Sequence, residues 1–134
     1  MPESRSETGD RLSQRKPVGW LNGEFKTPPF TDKARREAGE LLRLLQEGKT
    51  LEMPAYETIP EIGPRCGALR VQDEDHYWRI VCRTDHDAVL VVEVYPKKTR
   101  KLPQALIDRC KGRLKRYDEV AKEAARKAAR TEFQ

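Results

Sequence analysis

The residues best equipped for chemistry are Arg70, Arg79 and Arg83 together with Tyr77, Tyr95, Lys97, Lys98 and Arg100, all within the stretch Cys66 to Lys101. An extended chain turns alternate side chains to opposite faces, so in the run 77–84 Tyr77, Arg79, Val81 and Arg83 share one side while Trp78, Ile80 and Cys82 share the other. Arg70 takes the cationic side in the run before it, and Tyr95 in the run after it. A cationic, tyrosine-bearing face suits a polyanion better than a small apolar ligand. Were the polyanion an RNA to be cut without a metal, the nucleophile would be the substrate's own 2′-hydroxyl, and the protein would have to align that group, accept its proton, stabilise the extra phosphate charge and protonate the leaving 5′ oxygen. Clustered Arg and Lys meet the third need directly, by placing cations where charge develops. For the proton transfers there are four candidates, Tyr77, Tyr95, Lys97 and His76, and neighbouring cations are expected to lower the pKa of a Lys or a Tyr among them. The residues alone do not choose between the four.

These side chains need a sheet to hold them, and the sequence supplies one. Three consecutive runs, 66–72, 77–84 and 89–95, read as antiparallel strands, with Asp73 to Asp75 and then Asp85, His86 and Asp87 at the turns. In the third run Leu90, Val92 and Val94 fall on one side and Val89, Val91, Glu93 and Tyr95 on the other. One sheet face is therefore expected to be almost wholly apolar and covered. Thr31 is a candidate N-cap for a helix ending at Gly48, and its stripe of Ala34, Ala38, Leu41, Leu42 and Leu45 fits that face. The prolines at 54, 60 and 64 predict an ordered but irregular crossing from 50 to 65. Pro103 opens a long helix running through Arg130, whose buried stripe fades after Val120. Val18 to Leu21 is a possible short strand, and Trp20 and Trp78 are expected in the core. The expected class is α+β: a small antiparallel sheet with helices packed on one face, plus a long C-terminal helix. Residues 1–16 read as a flexible leader, 17–120 as the domain and 121–134 as a basic helical extension.

With 134 residues, a formal net charge of +5 and a pI of about 9.2, the chain has room for one core and favours an acidic partner, nucleic acid first. From Lys97 to Arg130 thirteen basic residues stand against four acidic ones, so the charge is polarised toward that end. Cys66, Cys82 and Cys110 are odd in number and widely spaced, which argues for reduced core thiols and a cytoplasmic location over disulfides or zinc. No apolar run reaches the length of a membrane span, and the N-terminus has no signal-like segment. Glycine-rich phosphate loops, paired carboxylates and HExxH-type metal motifs are missing from the sequence, so no cofactor and no metal site is expected.

The succession GEFKTPPF (23–30), AGELLRLLQEGKTLEMP (38–54), IGPRCGALRV (62–71), YWRIVCR (77–83) and VEVYPKKTRKLP (92–103) resembles the RelE/HigB-like toxins of bacterial type II toxin-antitoxin systems, in particular their phage-derived, HigB-like branch. The resemblance covers residues 17 to 118. It implies a ribosome-dependent mRNA endonuclease that arrests translation and growth, partnered by the ribosome, by mRNA and by a cognate HigA-like antitoxin with a helix-turn-helix domain. By position it makes Arg79 the residue on the scissile phosphate, with Arg70 beside it and Lys97, Lys98 and Arg100 as the basic cluster after the last strand. The chain departs from the family pattern where KKTRK runs straight into a long helix. Arg83 and Tyr77 join the candidate RNA contacts by their shared face. A second functional class stays open on the same residues: a basic RNA- or DNA-binding module without catalysis.

Overall fold

The computed structural model describes residues 15–21, 30–98 and 101–132. Its elements are β1 (Val18–Trp20), α1 (Asp32–Gln46), β2 (Tyr56–Thr58), β3 (Cys66–Asp73), β4 (His76–Thr84), β5 (Val89–Pro96) and α2 (Gln104–Glu132). Residues 1–14 of the expected leader lie outside the described residues, as does Arg100. The sheet order is β1-β5-β4-β3-β2. β2, β3, β4 and β5 are antiparallel neighbours, and β1 adds to β5 in parallel, so the sheet is mixed.

Local chemistry fixes the first helix. The Thr31 hydroxyl accepts from the Ala34 N–H at 3.2 Å, and the helix stops at Gly48, whose φ of +82° a glycine adopts without steric cost. Asp73, buried at the end of β3, accepts from both the Thr31 N–H (3.0 Å) and the Thr31 hydroxyl (2.7 Å). One carboxylate thus locks the start of α1 to the sheet.

The α+β class and the long C-terminal helix agree with the sequence reading, but the helices do not share a face. Ala34, Ala38 and Leu45 of α1 pack on Leu69, Val71, Ile80, Cys82, Val89 and Val91. Leu106, Ile107, Cys110 and Leu114 of α2 pack on the other side of the same strands, on Cys66, Ala68, Val81, Leu90 and Val92. The reason is in the alternation itself: the face that carries the arginines also carries Ala68 and Val81, and that apolar half needs a cover.

Strand β5 explains a second difference. Val81 pairs with Glu93 but Cys82 pairs with Val91, leaving Val92 as an extra residue in a bulge. The bulge reverses the alternation midway, so Val89 and Val91 face α1, while Glu93 and Tyr95 remain on the α2 side. The stretch 50–65 is not irregular throughout, because it holds β2, which pairs with β3 through Tyr56↔Leu69 and Thr58↔Gly67. Gly67 is required there: a Cβ would collide with the Tyr56 ring and lie 2.8 Å from the Glu57 carbonyl oxygen. Trp78 is half-buried against Phe30 in an edge-to-face contact at 4.9 Å, whereas Trp20, expected in the core, is 50% exposed. α2 continues unbroken to Glu132, and from Glu119 onward nearly every side chain is exposed.

Candidate functional site

Strand register builds the site row by row. Arg70 on β3, Arg79 on β4 and Tyr95 on β5 are direct cross-strand partners and share the α2 side of the sheet. Neighbouring strands lie about 4.8 Å apart, so Arg79 is flanked at that spacing by Arg70 and Tyr95. The next row holds Tyr77, against which the Arg70 guanidinium stacks at 6.0 Å, and the Lys97 N–H donates to the Tyr77 carbonyl at 2.7 Å. The hydrophobic cover of α2 reaches Tyr95, which packs against its cluster, and leaves this end of the sheet to the polar groups.

Arg79 is the unusual member. It is only 2% exposed, and neither terminal guanidinium nitrogen has a hydrogen-bond partner among the described residues although both are shut off from solvent. Burial lowers its pKa, Arg70 lowers it further, and Tyr95 and Glu57 pull it back up. A buried, unpaired cation beside a second cation is destabilising unless an anion completes it, and a guanidinium offers a phosphate two parallel N–H donors. Burial also pushes the Tyr95 phenol up, with Arg79 acting the other way. The expectation that cations would lower this tyrosine's pKa is overturned, because desolvation outweighs the nearby guanidinium.

Glu57 was missed by the sequence reading. Its partner across the β2–β3 pair is Ala68, on the α2 side, and both Arg79 and Tyr95 sense its charge. The signal that could have found it is the alternation of Tyr56, Glu57 and Thr58, which the flanking prolines masked. Glu93, the other carboxylate on this face, is occupied: it accepts from Arg109 at 2.9 Å and Arg113 at 3.0 Å, tying α2 to β5.

Two predicted residues are not brought to Arg79. His76 follows the alternation of Trp78 and Ile80, on the α1 side, and is exposed beside the β3–β4 turn. Arg83 has the right face but its guanidinium is consumed. It donates to both oxygens of Asp85 at 2.8 Å, and to both oxygens of Asp118 at 3.0 and 2.7 Å. The bonds to Asp118 raise the Arg83 pKa and hold that carboxyl below its usual range. This is a clamp between sheet and helix. Lys98 is exposed at the strand end. Among the described residues, no group of three or more His, Cys, Asp or Glu side chains is placed to hold a metal ion. Nor is any helix there long and apolar enough to cross a membrane. The cysteines are free and buried.

Fold and site together define a small α+β domain whose sheet carries a buried guanidinium, without a hydrogen-bond partner among the described residues for its terminal nitrogens, in a row of cations and tyrosines. The chain belongs to the family described as phage derived protein Gp49-like (DUF891), which matches residues 28–115 and is associated with the toxins of toxin-antitoxin systems. No curated protein and no solved structure matches the chain. The family match spans α1, β2 to β5 and the first part of α2; β1 and the helix beyond Lys115 lie outside it.

Proposed function

We propose that this protein is the toxin of a type II toxin-antitoxin pair, a cytoplasmic, RelE/HigB-like endoribonuclease that cleaves mRNA on the ribosome and stops growth. The observation that carries the reading is Arg79, buried between Arg70 and Tyr95 with its terminal nitrogens unpaired among the described residues. In the proposed reaction Arg70 meets the scissile phosphate first, the side chains over Arg79 shift to admit the phosphate to that guanidinium, and Lys97 adds charge at the strand end. O2′ of the upstream ribose attacks phosphorus as its proton passes to the Glu57 carboxylate. The P–O5′ bond breaks, and Tyr95, kept neutral by burial, donates its proton to the departing O5′. The products are a 2′,3′-cyclic phosphate and a 5′-hydroxyl. Tyr77 and Lys98 contact the flanking RNA. An antitoxin of the helix-turn-helix kind holds the toxin inactive by covering α1 and its loops.

Induced expression with and without a neighbouring antitoxin, followed by mapping of mRNA 5′ ends, tests the reading. Growth arrest with new 5′-hydroxyl ends, lost in Arg79→Met, is expected. Arrest without new ends rejects nuclease action, and RNA that is shifted in mobility but left intact identifies a binding module instead. Cleavage of a short RNA at high protein concentration should persist when cobalt hexammine replaces Mg²⁺. A 3′-hydroxyl product formed only with Mg²⁺ would reject the 2′-hydroxyl mechanism.

A further inference from the structure

We infer that α2 carries a second RNA-binding surface, a cationic stripe that grips the phosphodiester backbone of double-helical RNA away from the Arg79 row. Lys111, Lys115, Lys122 and Arg126 recur at intervals of four, seven and four residues. At about 100° per residue these positions fall within an arc of roughly 60°, and at 1.5 Å per residue they extend over about 22 Å of helix. The first three line a groove of about 470 Å³ between α2 and the loop before β3, and Arg65 faces them from that loop. All are exposed, Arg65 by 57% and Arg126 by 65% of the side chain.

The acidic groups nearby do not cancel them. Asp118, on the groove wall, is engaged by Arg83, and Asp85, which Arg65 approaches at 3.4 Å, already takes two bonds from Arg83. Glu119 is the one further carboxylate on the wall, and none of the three lysines forms an ion pair among the described residues. Arg126 has a 3.4 Å contact with Glu123, solvent-exposed and thus weak.

An acidic protein and an RNA backbone both match this charge, but the exposed arm favours RNA. A protein partner takes its affinity from desolvated aromatic or branched anchors. Beyond Tyr117 the helix offers charged residues, alanines, Thr131 and Val120. Phosphates require only cations at intervals along a rigid element. Most of the stripe's length lies past the family-matched segment, so the surface is additional to what that family shares. The choice of RNA over other polyanions rests on the reading of the Arg79 row as an RNA site.

The test measures binding, not cleavage, so the two readings fail separately. In full-length protein carrying Arg79→Met, the Kd for a fluorescein-labelled RNA hairpin is followed from low to high salt, with and without Lys111→Gln, Lys115→Gln, Lys122→Gln and Arg126→Gln combined. Each lost phosphate contact removes about 0.7 to 0.9 from the log–log salt slope, so the combined variant should be shallower by about 3. Affinity near physiological salt should fall tenfold or more, with unchanged melting. An unchanged slope would overturn the inference, as would a polyglutamate peptide that displaces the hairpin at equal charge concentration. If the combined variant melts early, Lys122→Glu with Arg126→Glu on the exposed arm replaces it and must flatten the slope by about 2 on the same scale. Restoring all positions as arginine must recover binding. Should the wild-type protein prove unable to cut RNA while the slopes behave as stated, the nuclease reading fails and the stripe stands.

Discussion

Arg79 and Arg83 are four residues apart on one face of one strand, and their surroundings give them opposite duties. Arg83 is bonded to two carboxylates, so Arg83→Met leaves Asp85 with only its 3.4 Å contact to the exposed Arg65 and Asp118, 44% exposed, to water, and should cost about 1 to 3 kcal/mol, read as a fall in Tm. Arg79 has no such partner among the described residues. Replacing it with the apolar, similarly sized Met should leave Tm unchanged or raise it, by on the order of 1 kcal/mol, while abolishing cleavage. Inorganic phosphate supplies the matching measurement: it should raise the Tm of the wild type and not of Arg79→Met, because a ligand stabilises only the fold that binds it. Tyr95→Phe and Glu57→Gln should each lower cleavage by about 100-fold or more with little change in melting. Burial pushes Cys82 up from 9.0 to about 12 and Tyr56 from 10.0 to about 12. The folded protein therefore keeps protons that the unfolded chain releases from about pH 9 upward. The stability these groups contribute is complete below that pH and is lost as pH rises toward 12, with a slope of up to about 1.4 kcal/mol per pH unit for each group. Urea melts at pH 7 and 10 should show the decline, and a flat profile would count against the burial of both groups.

At the scale of elements, β2 leaves no room for a side chain at Gly67 of β3, where the Tyr56 ring and the Glu57 carbonyl oxygen lie close. Gly67→Ala drives a methyl group into Tyr56 and should cost about 1 to 3 kcal/mol. Because β2 also carries Glu57, the same variant should slow cleavage beyond what its Tm explains. The strands β3 and β4, the Thr31 cap and the stop at Gly48 were legible in the sequence because each is written locally, in alternation or in a single capping residue. What escaped was set by partners far along the chain. The bulge at Val92 appears only when β5 is laid against β4, and a run of valines gives no sign of where its phase changes. β2 is a strand only because β3 lies beside it. The side chosen by α2 follows from the need to cover Ala68 and Val81, which the eye passes over between arginines. Of the candidate site, the Arg70, Arg79 and Tyr95 row was legible by strand phase, while the engagement of Arg83 by Asp118 needed the path of α2, and Glu57 needed β2.

For the whole molecule, the sheet has a helix on each side, and beyond Glu119 the second helix stands clear of it. A chain ending at Val120 retains the Arg83–Asp118 clamp and should melt within about 0.5 kcal/mol of the full-length protein. If it collapses instead, the outer helix has a structural role that its exposure does not disclose. The parallel strand β1 has a consequence in time. Val18 is made early but pairs with Val89, and so cannot be seated until β5 has been synthesised. The meander β3-β4-β5 closes over short turns and can assemble from local contacts, whereas the first strand must return across most of the chain, a slower closure. On a translating ribosome the arginine row would thus be assembled before the sheet acquires its last strand. The growing chain would carry a formed cation row while still tethered to the machine it is proposed to attack, and on that proposal an inhibitor would have to be made before the chain is finished.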